Sequence, residues 1–300
     1  MSAPTPPPGF ASSRSFLYVP GDQSDMLSKS TEHGADALII DLEDAVAPAS
    51  KAKALDIVAS WLSEQDEGST DIWVRLNPQT DLLASELAAV VQPTLTGVYL
   101  PKVSSPTDVE SVANQLDKLE TSRGVETGAV RIAPLLETAA GILSAPRIAE
   151  APRVSHLGLG EVDLAVDLGM HPSPDGRELN PIRIAVVVAS AAAKLHPPIG
   201  PVHTNFRDLE SLRETSHLLR RMGYGGQTAI HPDQIPVINQ IFSPTDEELA
   251  SARDIVERLD AAIEAGSGVT VAQDGSLIDE AIGRGARRTL ASRKSTTKER

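Results

Sequence analysis

The sequence predicts a closed (β/α)₈ barrel followed by a C-terminal extension made of a helix and a lid segment. Three observations point there. Short apolar runs alternate with amphipathic helical stretches about eight times over roughly 230 residues, the size of a (β/α)₈ barrel. The runs are continuous rather than alternating, as in parallel strands buried on both faces. No glycine-rich phosphate loop follows the first run. Val19-Pro20-Gly21-Asp22 fits neither GxGxxG nor GxxxxGK[ST], which disfavours a doubly wound sheet.

In chain order, residues 1–13 are rich in Pro and Ser without an apolar centre, and are expected to be a disordered arm rather than a signal peptide. The barrel is expected over 14–243. Its first strand is 16–19, stopped by Pro20-Gly21. Asp22 is placed as the cap of a helix that runs to His33 and stops at Gly34. The second strand begins the stretch 37–46, where Ala37-Leu38-Ile39-Ile40 runs straight into Asp41, Glu43 and Asp44. A helix over 48–62 sets Leu55, Val58, Ala59 and Leu62 on one face. The strand at 72–76 leads to Asn77, and a helix with Leu83, Leu87, Val90 and Val91 follows. The strand at 97–100 ends at Pro101-Lys102, before a helix with Val109, Val112, Leu116 and Leu119. The fifth strand, 131–136, ends at Glu137-Thr138. The sixth, 154–159, runs into Gly160-Glu161-Val162-Asp163. An Ala-rich helix over 182–195, a seventh strand at 198–202, a helix over 209–222 and an eighth strand at 227–230 complete the alternation, which ends at His231-Pro232. Residues 244–292 form the extension, with a helix over 247–265, and the basic stretch 293–300 is expected to be a disordered tail.

Composition narrows the partners. Lys and Arg number 27 against 41 Asp and Glu, a formal net charge of −14. That balance disfavours nucleic acid and anionic membranes, though local basic groups can still hold an anionic substrate. The absence of cysteine excludes disulfides and thiolate sites. No apolar run approaches the roughly 20 residues of a membrane span. A cytoplasmic protein is expected.

In (β/α)₈ barrels the chemistry sits at the C-terminal ends of the strands. Here those ends read Asp41/Glu43/Asp44, Arg75/Asn77, Lys102, Glu137, Asp163, His203/Asn205 and His231. Glu137 and Asp163 end adjacent strands. Two carboxylates without His or Cys beside them favour Mg²⁺, with Mn²⁺ as the alternative, over zinc. Each also has a plain structural reading as a cap, and Asp167 competes with Asp163. Arg75 offers a planar fork for bidentate capture of a carboxylate, or for a salt bridge to Glu43 or Asp44. Lys102 is read as pairing with a carboxylate. His231 is read as a structural hydrogen-bonder, and His33, His196 and His217 as surface or satisfied histidines.

Several stretches together resemble the citrate lyase β-subunit-like family, within the metal-dependent aldolases and lyases whose relatives include malyl- and citramalyl-coenzyme A lyases. They are Arg14-Ser-Phe-Leu-Tyr-Val-Pro-Gly-Asp22, Gly34-Ala-Asp-Ala-Leu-Ile-Ile-Asp-Leu-Glu-Asp-Ala-Val46, Val74-Arg-Leu-Asn77, Leu100-Pro-Lys102, Leu136-Glu-Thr138, Gly160-Glu-Val-Asp163 and Ile230-His-Pro232. The resemblance implies a Mg²⁺-dependent carbon–carbon lyase that cleaves a 3-hydroxy-3-carboxyacyl thioester into an acyl thioester and a 2-oxo acid. Residues matching Glu137 and Asp163 bind the metal. Arg75 holds the 2-oxo acid carboxylate, with Glu43 and Asp44 beside the metal's water and Asp41 structural. Arg14 and Lys51 join the substrate-binding set with Arg75 and Glu137. Asp279, within Gly275-Ser-Leu-Ile-Asp279, resembles a lid aspartate that protonates the thioester enolate, in some members in a neighbour's site. A homotrimer is implied, with other lyase subunits as candidate partners.

The match has departures. Leu55 stands where an arginine is usual, Gln227 where a lysine is usual, and Asn205 where an aspartate precedes Phe206-Arg207-Asp208. Two lost basic positions weigh against coenzyme A more than against the metal. Two alternatives therefore stand beside the lyase: a pyruvate-type aldolase acting on a free hydroxy-oxo acid, and a non-catalytic citrate lyase-like subunit.

Overall fold

The structure, a computed structural model, describes residues 13–68 and 70–292. The expected tail 293–300 and most of the expected arm lie outside the described residues. Ser13 is the exception, and its hydroxyl donates to Asp71 Oδ2 at 2.7 Å. Residues up to Phe242 form one compact unit and those from Ser243 a second.

The first unit runs β1 (Ser15–Pro20), α1 (Ser24–Lys29), β2 (Ala37–Asp41), α2 (Lys51–Ser63), β3 (Asp71–Arg75), α3 (Thr80–Val90), β4 (Gly97–Leu100) and α4 (Pro106–Arg123). It continues with β5 (Arg131–Leu136), α5 (Ala139–Ala149), β6 (Gly158–Leu159), α6 (Glu161–Asp167), α7 (Asn180–Ala192), β7 (Ile199–Gly200), α8 (Leu209–Met222), β8 (Gly226–Ala229) and α9 (Gln234–Ile241). The eight strands are parallel and close in sequence order, with β8 pairing β1. This is the (β/α)₈ barrel.

Strand side chains alternate between two cores. Leu38, Ile40, Ile72, Val74, Val98, Ile132 and Leu136 point outward and pack with the helices. Phe16, Ala37, Ile39, Trp73, Tyr99, Ala133 and Ile199 fill the barrel interior. Because both faces are buried, the strands read as unbroken apolar runs. Full burial of each large aliphatic contributes about 1.5–3 kcal/mol.

Two strands are shorter than expected, for identifiable reasons. Along β5 and β6, Ile132 faces Val154 and Leu135 faces Gly158. Three steps on one strand thus match four on the other. The extra residue is a bulge, which leaves only Gly158–Leu159 regular. β7 is bracketed by Pro197, Pro198 and Pro201, which lack the N–H that a ladder needs. The expectation at Asp22 is also corrected: the N-cap of α1 is Gln23, and Asp22 Oδ1 instead accepts a bond from Gln23 Nε2 at 3.1 Å.

In the second unit, α10 (Asp246–Glu264) starts in a capping box formed by Thr245 and Glu248. β9 (Thr270–Val271) and β10 (Leu277–Ile278) make an antiparallel hairpin. α11 (Glu280–Ala291) packs on α10, with Arg287 bonded to Asp260 at 2.7 Å and Gly283 set where a Cβ would strike Leu259. Among the described residues no helix is long and apolar enough to cross a membrane.

Candidate active site

The same alternation that fills the barrel interior continues past the apolar layer. It brings Tyr18 of β1, Asp41 of β2, Arg75 of β3 and, just beyond β5, Glu137 to the inner wall at the C-terminal end. With Asp163 they line a cavity of about 300 Å³, whose remaining wall includes Leu135, Ile199, Val202 and Ile230. A mostly apolar cleft with a few convergent ionisable groups is the usual form of a small-molecule site.

Asp41 and Arg75 are direct register partners on β2 and β3. Arg75 Nε donates to Asp41 Oδ1 at 2.8 Å and Nη2 to Oδ2 at 2.6 Å. The Asp41 carboxylate also accepts from Glu43 N at 2.8 Å and Ala45 N at 3.0 Å, so it is fully used. These bonds make the structural reading of Asp41 specific. Asp41 is the principal partner of Arg75, ahead of Glu43 and Asp44. Glu43 Oε2 lies 3.0 Å from Arg75 Nη1, an ion pair without hydrogen-bond alignment. Glu43 Oε1 accepts from Lys102 Nζ at 2.8 Å. Asp44 stands 4.0 Å from Nη1 with its side chain 58% exposed. The Arg75 guanidinium also lies 5.0 Å from the Tyr18 ring centroid. Burial works against the Arg75 charge, but the Asp41 hydrogen bonds and surrounding charges more than offset it, and its pKa rises. Burial pushes the Glu43 carboxyl up against the opposing pull of Arg75. Because Asp41 takes Nε and one Nη2 proton, only the Nη end of the fork is left for an anion, and Glu43 already flanks Nη1 there.

Glu137 is buried, and its Oε1 accepts from Lys102 N at 2.7 Å. Lys102 adopts φ +55, left-handed for a non-glycine residue, a conformation that costs on the order of 1–3 kcal/mol. That turn lets one residue aim its N–H at Glu137 and its ammonium at Glu43. Desolvation raises the Glu137 pKa to about 7. The Lys102 bond opposes the rise, and the negative charges of Glu43 and Asp163 add to it. Asp163 lies in the first turn of α6, whose N-cap is Gly160. A Cβ on Gly160 would sit 2.5 Å from Glu137 Oε2, so only glycine leaves that oxygen its place.

These residues fit a divalent cation. The donors are hard oxygens, and one is a buried carboxylate that its neighbours make costly to ionise unless positive charge is supplied. Among the described residues no group of three or more His, Cys, Asp or Glu could hold an ion. Two carboxylates suit Mg²⁺, which keeps water or substrate in its other positions, better than zinc.

Other expected site residues lie elsewhere. Arg14 precedes β1, at the opposite end of the barrel, with its guanidinium on Asp36 at 2.7 and 3.1 Å. It is thereby removed from the substrate-binding set. Lys51 Nζ donates to the carbonyls of Leu42 and Glu43, tethering the loop after β2. Asp279 caps α11, accepting from Ile282 N at 3.0 Å. His231 stacks on Phe206 with centroids 4.8 Å apart. Gln227, at the lost lysine position, is a satisfied wall residue. It accepts from Ser216 Oγ at 2.6 Å and donates to Pro201 O at 3.1 Å. Asp167 accepts from Ala139 N at 2.7 Å and does not line the cavity, which favours Asp163 as the ligand.

Sequence reasoning missed the buried His156. Its Nε2 lies 2.7 Å from Tyr99 Oη and its Nδ1 2.9 Å from Ser155 Oγ, beneath the cavity. Desolvation lowers its pKa to about 3, so it is a neutral core residue. The bulge between Val154 and Gly158 shifts which residues of this stretch face inward, and no apolar pattern announces it.

A sequence profile of the HpcH/HpaI aldolase/citrate lyase family matches residues 14–232. The (3S)-malyl-CoA thioesterase of Cereibacter sphaeroides is 34% identical over 279 residues, 93% of either chain. The protein CitE of Mycobacterium tuberculosis, solved with magnesium, acetoacetate and coenzyme A, superposes with a TM-score of 0.74 at 28% identity, covering 94% of this chain and 98% of that one. The citrate lyase beta subunit from M. tuberculosis, complexed with oxaloacetate and magnesium, gives a TM-score of 0.65 at 29% identity over 78% and 98%.

Proposed function

The chain belongs to the HpcH/HpaI aldolase/citrate lyase family, and on that premise we propose that it is a Mg²⁺-dependent carbon–carbon lyase acting on a 3-hydroxy-3-carboxyacyl thioester of the citryl-, malyl- or citramalyl-coenzyme A type. The observation that carries this reading is that one buried guanidinium, Arg75, and two carboxylates, Glu137 and Asp163, line the same small cavity. A group bearing both a carboxylate and a hydroxyl on one carbon meets both halves of that site.

Glu137 and Asp163 would hold Mg²⁺, which when bound supplies Lewis-acid polarisation of the adjacent hydroxyl; Mn²⁺ satisfies the same oxygens. Arg75 receives the substrate carboxylate on its Nη end. Asp41 and Glu43 hold the guanidinium in place, so the substrate does not have to order it. The apolar wall of Leu135, Ile199, Val202 and Ile230 takes the acyl portion and limits water. The hydroxyl proton passes to a base or to bulk water, the oxygen's electron pair forms the carbonyl as the carbon–carbon bond breaks and a 2-oxo acid leaves, and the thioester enolate then takes a proton to give the acyl thioester. Asp279 is assigned as that proton donor on the family resemblance. The same resemblance supports a cytoplasmic homotrimer.

The name of the C. sphaeroides relative supports a second reading, hydrolysis of the same kind of thioester. One assay separates the two. Citryl-, malyl-, methylmalyl- and citramalyl-coenzyme A are each incubated with Mg²⁺, and 2-oxo acid and free thiol are measured together. The lyase releases 2-oxo acid without thiol. Thiol release alone supports hydrolysis, and neither product from any substrate rejects both.

A further inference from the structure

The wall of the cavity is divided by charge. Its charged groups come from β2, β3, the end of β5 and α6, while the arc from β7 to β8 presents Ile199, Pro201, Val202, Thr228 and Ile230. In a ring of eight strands closed in sequence order, β7 stands across from β3, so this arc is opposite the strand that carries Arg75. Its polar groups are committed. Thr228 Oγ1 donates to Gly200 O at 2.9 Å, Ile230 N donates to Gln234 Oε1 at 2.8 Å, and Pro201 has no N–H.

Among the described residues that line the cavity, Arg75 is the single cationic side chain. It already faces Asp41 and Glu43 at 2.6 and 3.0 Å. Other cations that follow barrel strands are engaged elsewhere. Lys51 donates to the carbonyls of Leu42 and Glu43, and Lys102 Nζ to Glu43 Oε1 at 2.8 Å. Arg207 lies over the Phe206 ring, 5.4 Å from its centroid. Burial lowers the pKa of His203, so its ring is neutral near neutral pH. A divalent ion on Glu137 and Asp163 has its two charges matched by theirs.

The reacting carbon of the substrate has four groups. Its carboxylate goes to Arg75 and its hydroxyl to the side of Glu137 and Asp163. The thioester arm goes to the mouth, because coenzyme A is larger than a cavity of about 300 Å³. The fourth group is thereby turned to the apolar arc. Hydrogen or a short alkyl chain fits that surface. A carboxymethyl group would bring a second carboxylate out of water where the side chains of Ile199, Val202 and Ile230 offer it neither a cation nor a donor. Resting on the lyase reading, we propose that the β7–β8 arc selects thioesters whose fourth group is hydrogen or a short alkyl chain and rejects carboxymethyl. The acid released is then a 2-oxo monocarboxylate. Malyl- and citramalyl-type thioesters are selected and the citryl type is refused.

Turnover and binding test this separately. With Mg²⁺, kcat/KM for citryl-coenzyme A should lie at least about 10-fold below that for the better of malyl- and citramalyl-coenzyme A, and a smaller gap overturns the proposal while leaving the lyase reading in place. Ile230 is 40% exposed, so Ile230→Arg can set a cation on the arc without emptying the core. That variant should raise citryl use relative to the others at least about 3-fold, and an unmoved ratio overturns the assignment of the fourth group to this arc. Binding is read by calorimetry with two coenzyme A thioethers that lack the hydroxyl and so can be neither cleaved nor hydrolysed. One carries methyl and the other carboxymethyl at that carbon. The methyl compound should bind at least about 10-fold tighter. This comparison holds even if no carbon–carbon bond is cleaved, so loss of the lyase reading and loss of the selectivity are told apart. Equal binding, or tighter binding of the carboxymethyl compound, overturns the selectivity. Binding of neither overturns it together with the reading on which it rests.

Discussion

Arg75 gives its Nε and Nη2 protons to the two oxygens of Asp41, its register partner on the neighbouring strand, at 2.8 and 2.6 Å. The most cationic group of the site is thus fixed from behind before any ligand arrives. Asp41→Asn keeps the shape but removes the charge, leaving a buried guanidinium short of a partner. Stability should fall by about 3 kcal/mol in urea titration, as when one member of a buried pair is lost. 2-oxo acid affinity should fall with it, because the fork is no longer held.

Glu137 titrates in the opposite sense from most carboxylates. Its folded pKa, about 7, stands above the ordinary 4.5. The folded protein therefore binds this proton more tightly than the unfolded chain. The associated stability is complete below about pH 4.5 and is lost as pH rises through about 7. Adding Mg²⁺ should raise the melting temperature more at about pH 8 than at about pH 5.5, because protons compete for the same oxygens. In Glu137→Gln the Mg²⁺-induced shift should vanish at both pH values. A scanning-fluorimetry grid of pH against Mg²⁺ checks both statements.

His156 works the other way. Its pKa is lowered from 6.5 to about 3 by burial among Phe16, Trp73 and Tyr99. The neutral ring is favoured in the fold, so stability is present above about pH 6.5 and drains away as pH falls toward 3. Up to on the order of 4 kcal/mol rides on this group. Replacing it with Gln should flatten the acid limb of the stability curve, at some cost near neutrality from the altered Tyr99 contact.

Gly160 is where the backbone passes closest to Glu137, with no room for a Cβ beside Oε2. Its φ of −100 suits any residue, so Gly160→Ala should fold. It should push the carboxylate off its position and weaken Mg²⁺ binding by about 10–100-fold, the usual effect of disturbing a metal ligand's surroundings. Calorimetric titration with Mg²⁺ reads this directly.

The strands were legible because burial on both faces leaves a continuous apolar run, as at Ala37–Asp41. The run of polar strand ends was legible for the same reason: the change from apolar to ionisable marks where the chain leaves the core. The pairing within that ring was not. Asp41 and Glu43 look alike in sequence, and only strand register shows that Asp41 faces Arg75 and the cavity while Glu43 sits behind it. Lys102 was read for its ammonium, whereas its backbone N–H, aimed by a left-handed φ, is what holds Glu137. His156 was hidden by a one-residue bulge, which no apolar pattern announces. Arg14 entered the substrate-binding set through the resemblance alone, since its place before β1 already sets it at the N-terminal end of the barrel.

The central claim is that the site breaks a carbon–carbon bond under the control of Glu137. The most direct measurement is the ratio of 2-oxo acid to free thiol released from a malyl- or citramalyl-type coenzyme A thioester, with and without Mg²⁺, for wild type and Glu137→Ala. Wild type should release 2-oxo acid matched by acyl thioester, without excess thiol and only with Mg²⁺, and the variant should lose at least about 100-fold of that release. Thiol released in step with an intact hydroxy diacid, or turnover that persists in Glu137→Ala, would contradict it.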